Sequence, residues 1–173
     1  MAKTLDVLKY PNPILRRGGE DVAAFDADLA KIGRDMLHTM YQYQGVGLAG
    51  PQVGQALNLL VLNPKGDPAD TADELVMVNP EILKRKQLEY GEEGCLSFPG
   101  IYAEVERHTE IRVRYQDLQG EKKETSFDGF MARIVLHEMD HLQGVLFVDR
   151  LSAAERIRVR GKLLDMEKSW QPS

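Results

Sequence analysis

Residues 129–142, GFMARIVLHEMDHL, are apolar on almost every side of a helix. A surface helix needs only one apolar stripe, so a helix of this kind belongs in the middle of a domain with other elements wrapped around it. A chain of 173 residues can supply that wrapping as one compact domain, expected over 1–173, and is too short for two full ones. The single cysteine, Cys95, rules out a disulfide within the chain, so stability must come from the core. With 22 Lys and Arg against 27 Asp and Glu, the net charge of −5 argues against a protein whose main task is coating nucleic acid or an anionic membrane. No run approaches the roughly 18 apolar residues of a membrane span. The opening MAKTLDVLKYPNP lacks the apolar core of a signal peptide, which points to the cytoplasm and away from a membrane partner.

The wrapping is legible in outline. After an irregular arm with Pro11, Pro13, Gly18 and Gly19, the recurrence of Leu29, Ile32, Met36, Leu37 and Met40 predicts a helix capped by Asp26 and ending before Gly45. The apolar run 58–63 (NLLVLN) predicts a short strand, and 65–73 a surface loop. Further strands are expected at LVMVNP, IYAEVE, EIRVRYQD and KKETSFD, the middle two alternating apolar and polar as half-buried strands do, with a charged strand or turn leading up to Tyr90. A last helix is expected over 152–170, with Ser152 and Glu155 spaced as a capping box. The expected fold is α+β, with antiparallel or mixed sheets packed around the buried helix and a helix at the C-terminus.

The buried helix carries the chemistry. His137 and His141, four residues apart, lie on one helical face and can offer imidazole nitrogens to a single metal ion, with Glu138 beside them as a proton acceptor. A hydrolytic site needs three protein ligands and one open position. The longer metalloprotease motif would place a third histidine where Phe147 stands. A downstream carboxylate, Glu155 or Glu167, would make a zinc endopeptidase in which Cys95 is dispensable. Cys95 itself, in EEGCLS, is the third option. A metal-stabilised binding module would need four ligands, and Glu138 would then have no task.

Three segments, 45–52 (GVGLAGPQ), 93–97 (EGCLS) and 137–141 (HEMDH), occur in this order, and together they resemble the signature segments of the peptide deformylases. The resemblance runs from YPNPILR to the C-terminal helix. It implies that Cys95, His137 and His141 hold one divalent ion, usually iron(II), replaceable by zinc, nickel or cobalt. It further implies that Glu138 moves protons and that the Gln52 amide and the Leu96 backbone N–H face the developing oxyanion. By the same resemblance Val46, Gly47, Glu93, Gly94, Phe130, Arg133 and Ile134 surround the substrate, with Gly47 and Gly94 letting substrate backbone lie close. The substrate implied is the formyl-methionyl end of a nascent chain.

Several positions depart from the family pattern. Gly50 stands for a common alanine, Leu136 for a common glutamine, and Tyr102 falls where some members carry arginine. Arg133 lies one turn before His137, where an apolar residue would better suit a methionine pocket, and is expected to reach solvent past Phe130. GVGLAG matches a dinucleotide fingerprint in letters only, since it follows a helical pattern and runs into Pro51, so no nucleotide cofactor is expected. Arg150, Arg156, Arg158, Arg160, Lys162 and Lys168 give the acidic chain a basic end, a candidate contact with the ribosome.

Overall fold

In a computed structural model, which describes residues 1–172, the apolar helix is α2, Gly129–Leu142, and every residue from 134 to 142 is buried. Ser173, the last residue of the expected domain, lies outside the described residues. What surrounds α2 is one antiparallel sheet, five-stranded among the described residues, in the order β1 (Gly47–Ala49), β2 (Leu59–Leu62), β3 (Leu75–Cys95), β4 (Phe98–Gln116) and β5 (Lys122–Asp128). One apolar cluster joins Leu60, Leu62, Met77, Val113 and Phe127 of the sheet to Ala132, Val135 and Met139 of α2.

The run at 58–63 is apolar without alternation because β2 is covered on both faces. Leu60 and Leu62 point to α2, while Leu59 and Val61 join Met36 and Met40 of α1 (Ala27–Gln42) in a second cluster. Asp26 caps α1 as expected, its side chain accepting from the Leu29 amide at 3.0 Å. A third cluster, with Leu15, Phe98, Val105, Phe147 and Val159, holds α3 (Ala153–Ser169) against the start of β4. Ser152 caps α3 through the Glu155 amide at 3.2 Å, but only half of the capping box forms, because the Glu155 carboxylate turns to the Glu104 amide and Arg158 instead.

The strands are fewer and longer than the sequence suggests. IYAEVE and EIRVRYQD are one strand, and LVMVNP continues through the charged run 81–87 up to Cys95. Pro80 and the charges of that run read locally as a turn. The sheet absorbs them in register shifts between Val78 and Glu81 and between Ile82 and Lys84. The length of β3 and β4 matters for the site, because their hairpin carries Cys95 from the sheet to the flank of α2.

Candidate metal centre

Cys95 ends β3, and the two-residue turn Leu96-Ser97 leads into β4. Because α2 puts residues four apart on one face, His137 and His141 look out from consecutive turns toward that hairpin. One ligand atom from each of Cys95, His137 and His141 lies within 4.8 Å of the others, with Cys95 Sγ and His141 Nε2 3.4 Å apart. His137 Nδ1–H donates to Glu93 Oε1 at 2.8 Å, which leaves Nε2 free to face the trio.

The support behind His137 is ionic and buried. Arg107 spans two carboxylates, giving Glu93 two bonds of 2.9 Å and Asp140 one of 2.6 Å. Burial alone would push the Glu93 carboxyl up, but its bonds from Arg107 and His137 outweigh that and hold it at about 2, so Glu93 accepts from the imidazole without taking its proton. Arg133 adds a further bond to Glu93 at 2.9 Å.

Glu138 sits beside the trio, Oε1 4.0 Å from His137 Nε2, in space left by the missing side chain of Gly47. Burial raises its carboxyl to about 7, and its buried Oε2 has no hydrogen-bond partner among the described residues. Gln52, also buried, receives the Ala49 amide on Oε1 at 2.9 Å. That bond fixes the amide so that Nε2 faces Cys95 Sγ at 3.5 Å and Ser97 Oγ at 3.2 Å. Two imidazoles and a thiol converging in the interior, with an unpaired carboxylate oxygen alongside, fit a borderline-soft divalent cation with an open coordination position.

A cleft of about 680 Å³ opens onto the trio, and Val46, Gly47, Gly94, Leu96, Phe130 and Ile134 all line it. Of the trio, Cys95 and His137 also line it, while His141 and Gln52 are buried. Three expectations change. Glu93 borders the cleft, but its carboxylate is bonded to His137, Arg107 and Arg133 and supports the His137 ring. Arg133 does not extend freely into solvent; its side chain is 14% exposed and its guanidinium is bonded to the protein. Its guanidinium donates to Val105 O at 2.8 Å and Glu89 O at 3.0 Å, which ties α2 to β4 and β3. The space beside the α carbons of Gly47 and Gly94 is filled by Glu138 and by Tyr102, so these glycines make room for the protein's own side chains.

Glu155 pairs with Arg158, and Glu167 accepts from the Tyr10 hydroxyl, so neither carboxylate reaches the trio. Phe147 is a core residue packed edge-on to Phe98. Sequence reasoning missed Arg107, Asp140 and Ser97. Arg107 carried a usable signal: Ile101, Ala103 and Val105 occupy the inward parity of β4, and Arg107 continues it.

The sequence pattern of the polypeptide deformylases matches residues 4–157. The chain belongs to that family. Its members are metal-dependent hydrolases that remove the N-terminal formyl group from nascent polypeptides, and the chain is an enzyme of this kind. It is 44% identical over 161 residues to the peptide deformylase of Thermotoga petrophila, covering 92% of this chain and 94% of that one. To the chloroplastic peptide deformylase 1B of Oryza sativa subsp. japonica it is 44% identical over 170 residues, 98% of this chain but 63% of the rice protein. A crystal structure of a plant peptide deformylase superposes with a TM-score of 0.93 at 40% identity, covering 100% of this chain and 97% of that one. In this chain the antiparallel sheet and its central helix bring the cysteine of one segment to the histidines of another.

Proposed function

We propose that residues 1–173 form one catalytic domain in which Cys95, His137 and His141 hold an iron(II) ion and Glu138 and Gln52 act on a formyl-methionyl peptide. The observation that carries the assignment is the unpartnered Glu138 carboxylate oxygen, buried beside three convergent ligand atoms at the end of an open cleft. A divalent cation held there supplies Lewis acidity, activating water at neutral pH and polarising the formyl carbonyl. Glu138 accepts the proton that the attacking water loses and returns one to the departing amine as the C–N bond breaks, leaving formate and a free amino terminus. The Gln52 Nε2–H group and the Leu96 N–H stabilise the oxyanion, the former held in place by the Ala49 amide. Phe130, Ile134 and Val46 receive the methionine side chain, while Arg133 contributes the apolar part of its side chain.

Translation delivers formyl-methionyl chains, so the cytoplasm is the compartment we assign; among the described residues no helix is long and apolar enough to cross a membrane. We place ribosome contact on the exposed side of α3, with fewer cations than its sequence offers. Arg150 is paired with Asp140, Arg156 bonds the carbonyls of Asp149 and Leu151, Arg158 is tied to Glu155 and Tyr102, and Lys162 donates to Gly100 O. Arg160 and Lys168 project from the same helix.

The test is formate release by anaerobically purified, metal-analysed protein from formyl-Met-Ala-Ser and acetyl-Met-Ala-Ser. One iron per chain with turnover of the formyl peptide alone is expected. Equal rates on both peptides would remove the assignment.

A further inference from the structure

We propose that Arg150 is a positioning residue for the metal centre, acting through Asp140, Arg107 and Glu93 on the ligand His137. The proposal rests on the reading of Cys95, His137 and His141 as metal ligands. Arg150 lies outside the cleft, in the short turn between α2 and α3, with its side chain 45% exposed. Its guanidinium grips Asp140 on both oxygens, Nε to Oδ2 at 2.6 Å and Nη2 to Oδ1 at 2.8 Å. Arg107 Nη1 shares Oδ2 at 2.6 Å, and the other edge of the same guanidinium binds both oxygens of Glu93 at 2.9 Å. Glu93 then accepts from His137 Nδ1–H.

Each link is a planar group held at more than one point, so orientation passes along the chain as well as charge. Asp140 occupies the helical turn between the two histidine ligands. With Arg150 in place its carboxylate cannot rotate, and it presents one fixed oxygen to Arg107. Without Arg150 the carboxylate keeps a single bond from Arg107, so the plane of Arg107, and with it Glu93 and the tilt of the His137 ring, becomes less well defined.

A purely electrostatic role makes the opposite forecast. Arg150 is a cation beside a dication site, so deleting its charge would tighten metal binding. Replacing it with lysine, which keeps the charge but not the fork, would then change little.

The experiment measures Zn²⁺ dissociation constants by competition with a chromophoric chelator for the wild type, Arg150→Lys, Arg150→Met, Glu93→Gln and the Glu93→Gln/Arg150→Met double variant. A direct partner of a ligating histidine is typically worth about 10- to 100-fold in affinity, and Arg150, three links further out, is expected to be worth about 3- to 10-fold. Both Arg150 variants should bind Zn²⁺ more weakly by that factor, and Arg150→Met should add nothing in the Glu93→Gln background. Tighter binding by Arg150→Met, or wild-type affinity in Arg150→Lys, would overturn the proposal. So would a lower unfolding midpoint of the metal-free protein with unchanged Zn²⁺ affinity, or an equal loss in both backgrounds. The Lys and Met comparison stands by itself if the double variant does not fold. Failure of the wild type to take up one Zn²⁺ is a different result, and it overturns the ligand assignment itself.

Discussion

Replacing Gly47 by alanine should disable Glu138 while leaving the metal in place. A Cβ on residue 47 would stand 2.7 Å from Glu138 Oε1, 2.9 Å from Cγ and 3.0 Å from Cδ. Ordinary contact begins at 3.4 Å, so the carboxylate must retreat by at least 3.4 − 2.7 = 0.7 Å. Because Cγ is crowded as well, turning the carboxyl group about its own bond does not relieve the clash. Glu138 stands in the stretch 134–142 of α2, every residue of which is buried, and the strand is no freer, since Leu48 and Ala49 next to Gly47 are themselves fully buried. The space into which the carboxylate can move is the cleft. A catalytic group misplaced by about 1 Å costs on the order of 100-fold in rate, so turnover of formyl-Met-Ala-Ser should fall by about that factor. Overpacking costs about 1–3 kcal/mol and is partly offset by the stiffer unfolded chain, so the protein should still fold and carry its metal.

Gly94→Ala is the control. Its Cβ would meet Tyr102 Cε1 at 2.6 Å, a worse clash on paper, but that ring is 57% exposed and can swing into solvent. Turnover should therefore stay within about threefold of wild type, as for surface changes worth under ~0.7 kcal/mol. The assay is kcat on the formyl peptide together with metal stoichiometry for both variants. A Gly47→Ala enzyme with full metal and near-normal kcat would refute the placement of Glu138. Loss of metal would show that the strain is relieved through His137, which is also contrary to the reasoning.

Glu138→Ala should retain the metal and lose about 100- to 10,000-fold in turnover, the usual worth of general acid–base assistance, whereas His141→Ala should lose the metal; stoichiometry and turnover on the same preparations check both. Cys95→Ser should bind iron(II) poorly, and the wild type should lose activity in air and keep it under reductant or with nickel, as a thiolate-held iron site would; activity decay curves decide this. Tyr41 and Tyr10 should titrate late. Burial, then a hydrogen bond to Glu74, pushes Tyr41 up to about 12, and burial, then a hydrogen bond to Glu167, does the same for Tyr10. Since the fold favours the protonated phenols, the stability they contribute is complete below about pH 10 and is lost as the pH rises through about 12. Ultraviolet absorbance titration of wild type, Tyr41→Phe and Tyr10→Phe would show the two late phenols disappearing one at a time.

Much of the molecule is written locally. The apolar girth of residues 129–142 required a central helix, Asp26 and Ser152 marked helix starts, and the spacing of His137 and His141 placed two imidazoles on one face, because helical periodicity and capping depend on residues within one or two turns. The motif order also pointed to the family and hence to Cys95. What the local pattern could not hold is where long side chains end. Arg133 was expected in solvent and is tied to β3 and β4, Glu93 was expected at the substrate and stands behind His137, and Arg107 went unnoticed although it joins Glu93 to Asp140. The same holds for the long strands. Pro80 and the charges after it look like a turn to a short window, and only pairing with β4, with its register shifts, continues the strand to Cys95. Sequence decides which residues can ligate or carry a proton. Only the packed fold settles which guanidinium meets which carboxylate, because those bonds span 14 to 40 residues and exist only once sheet and helix close on each other.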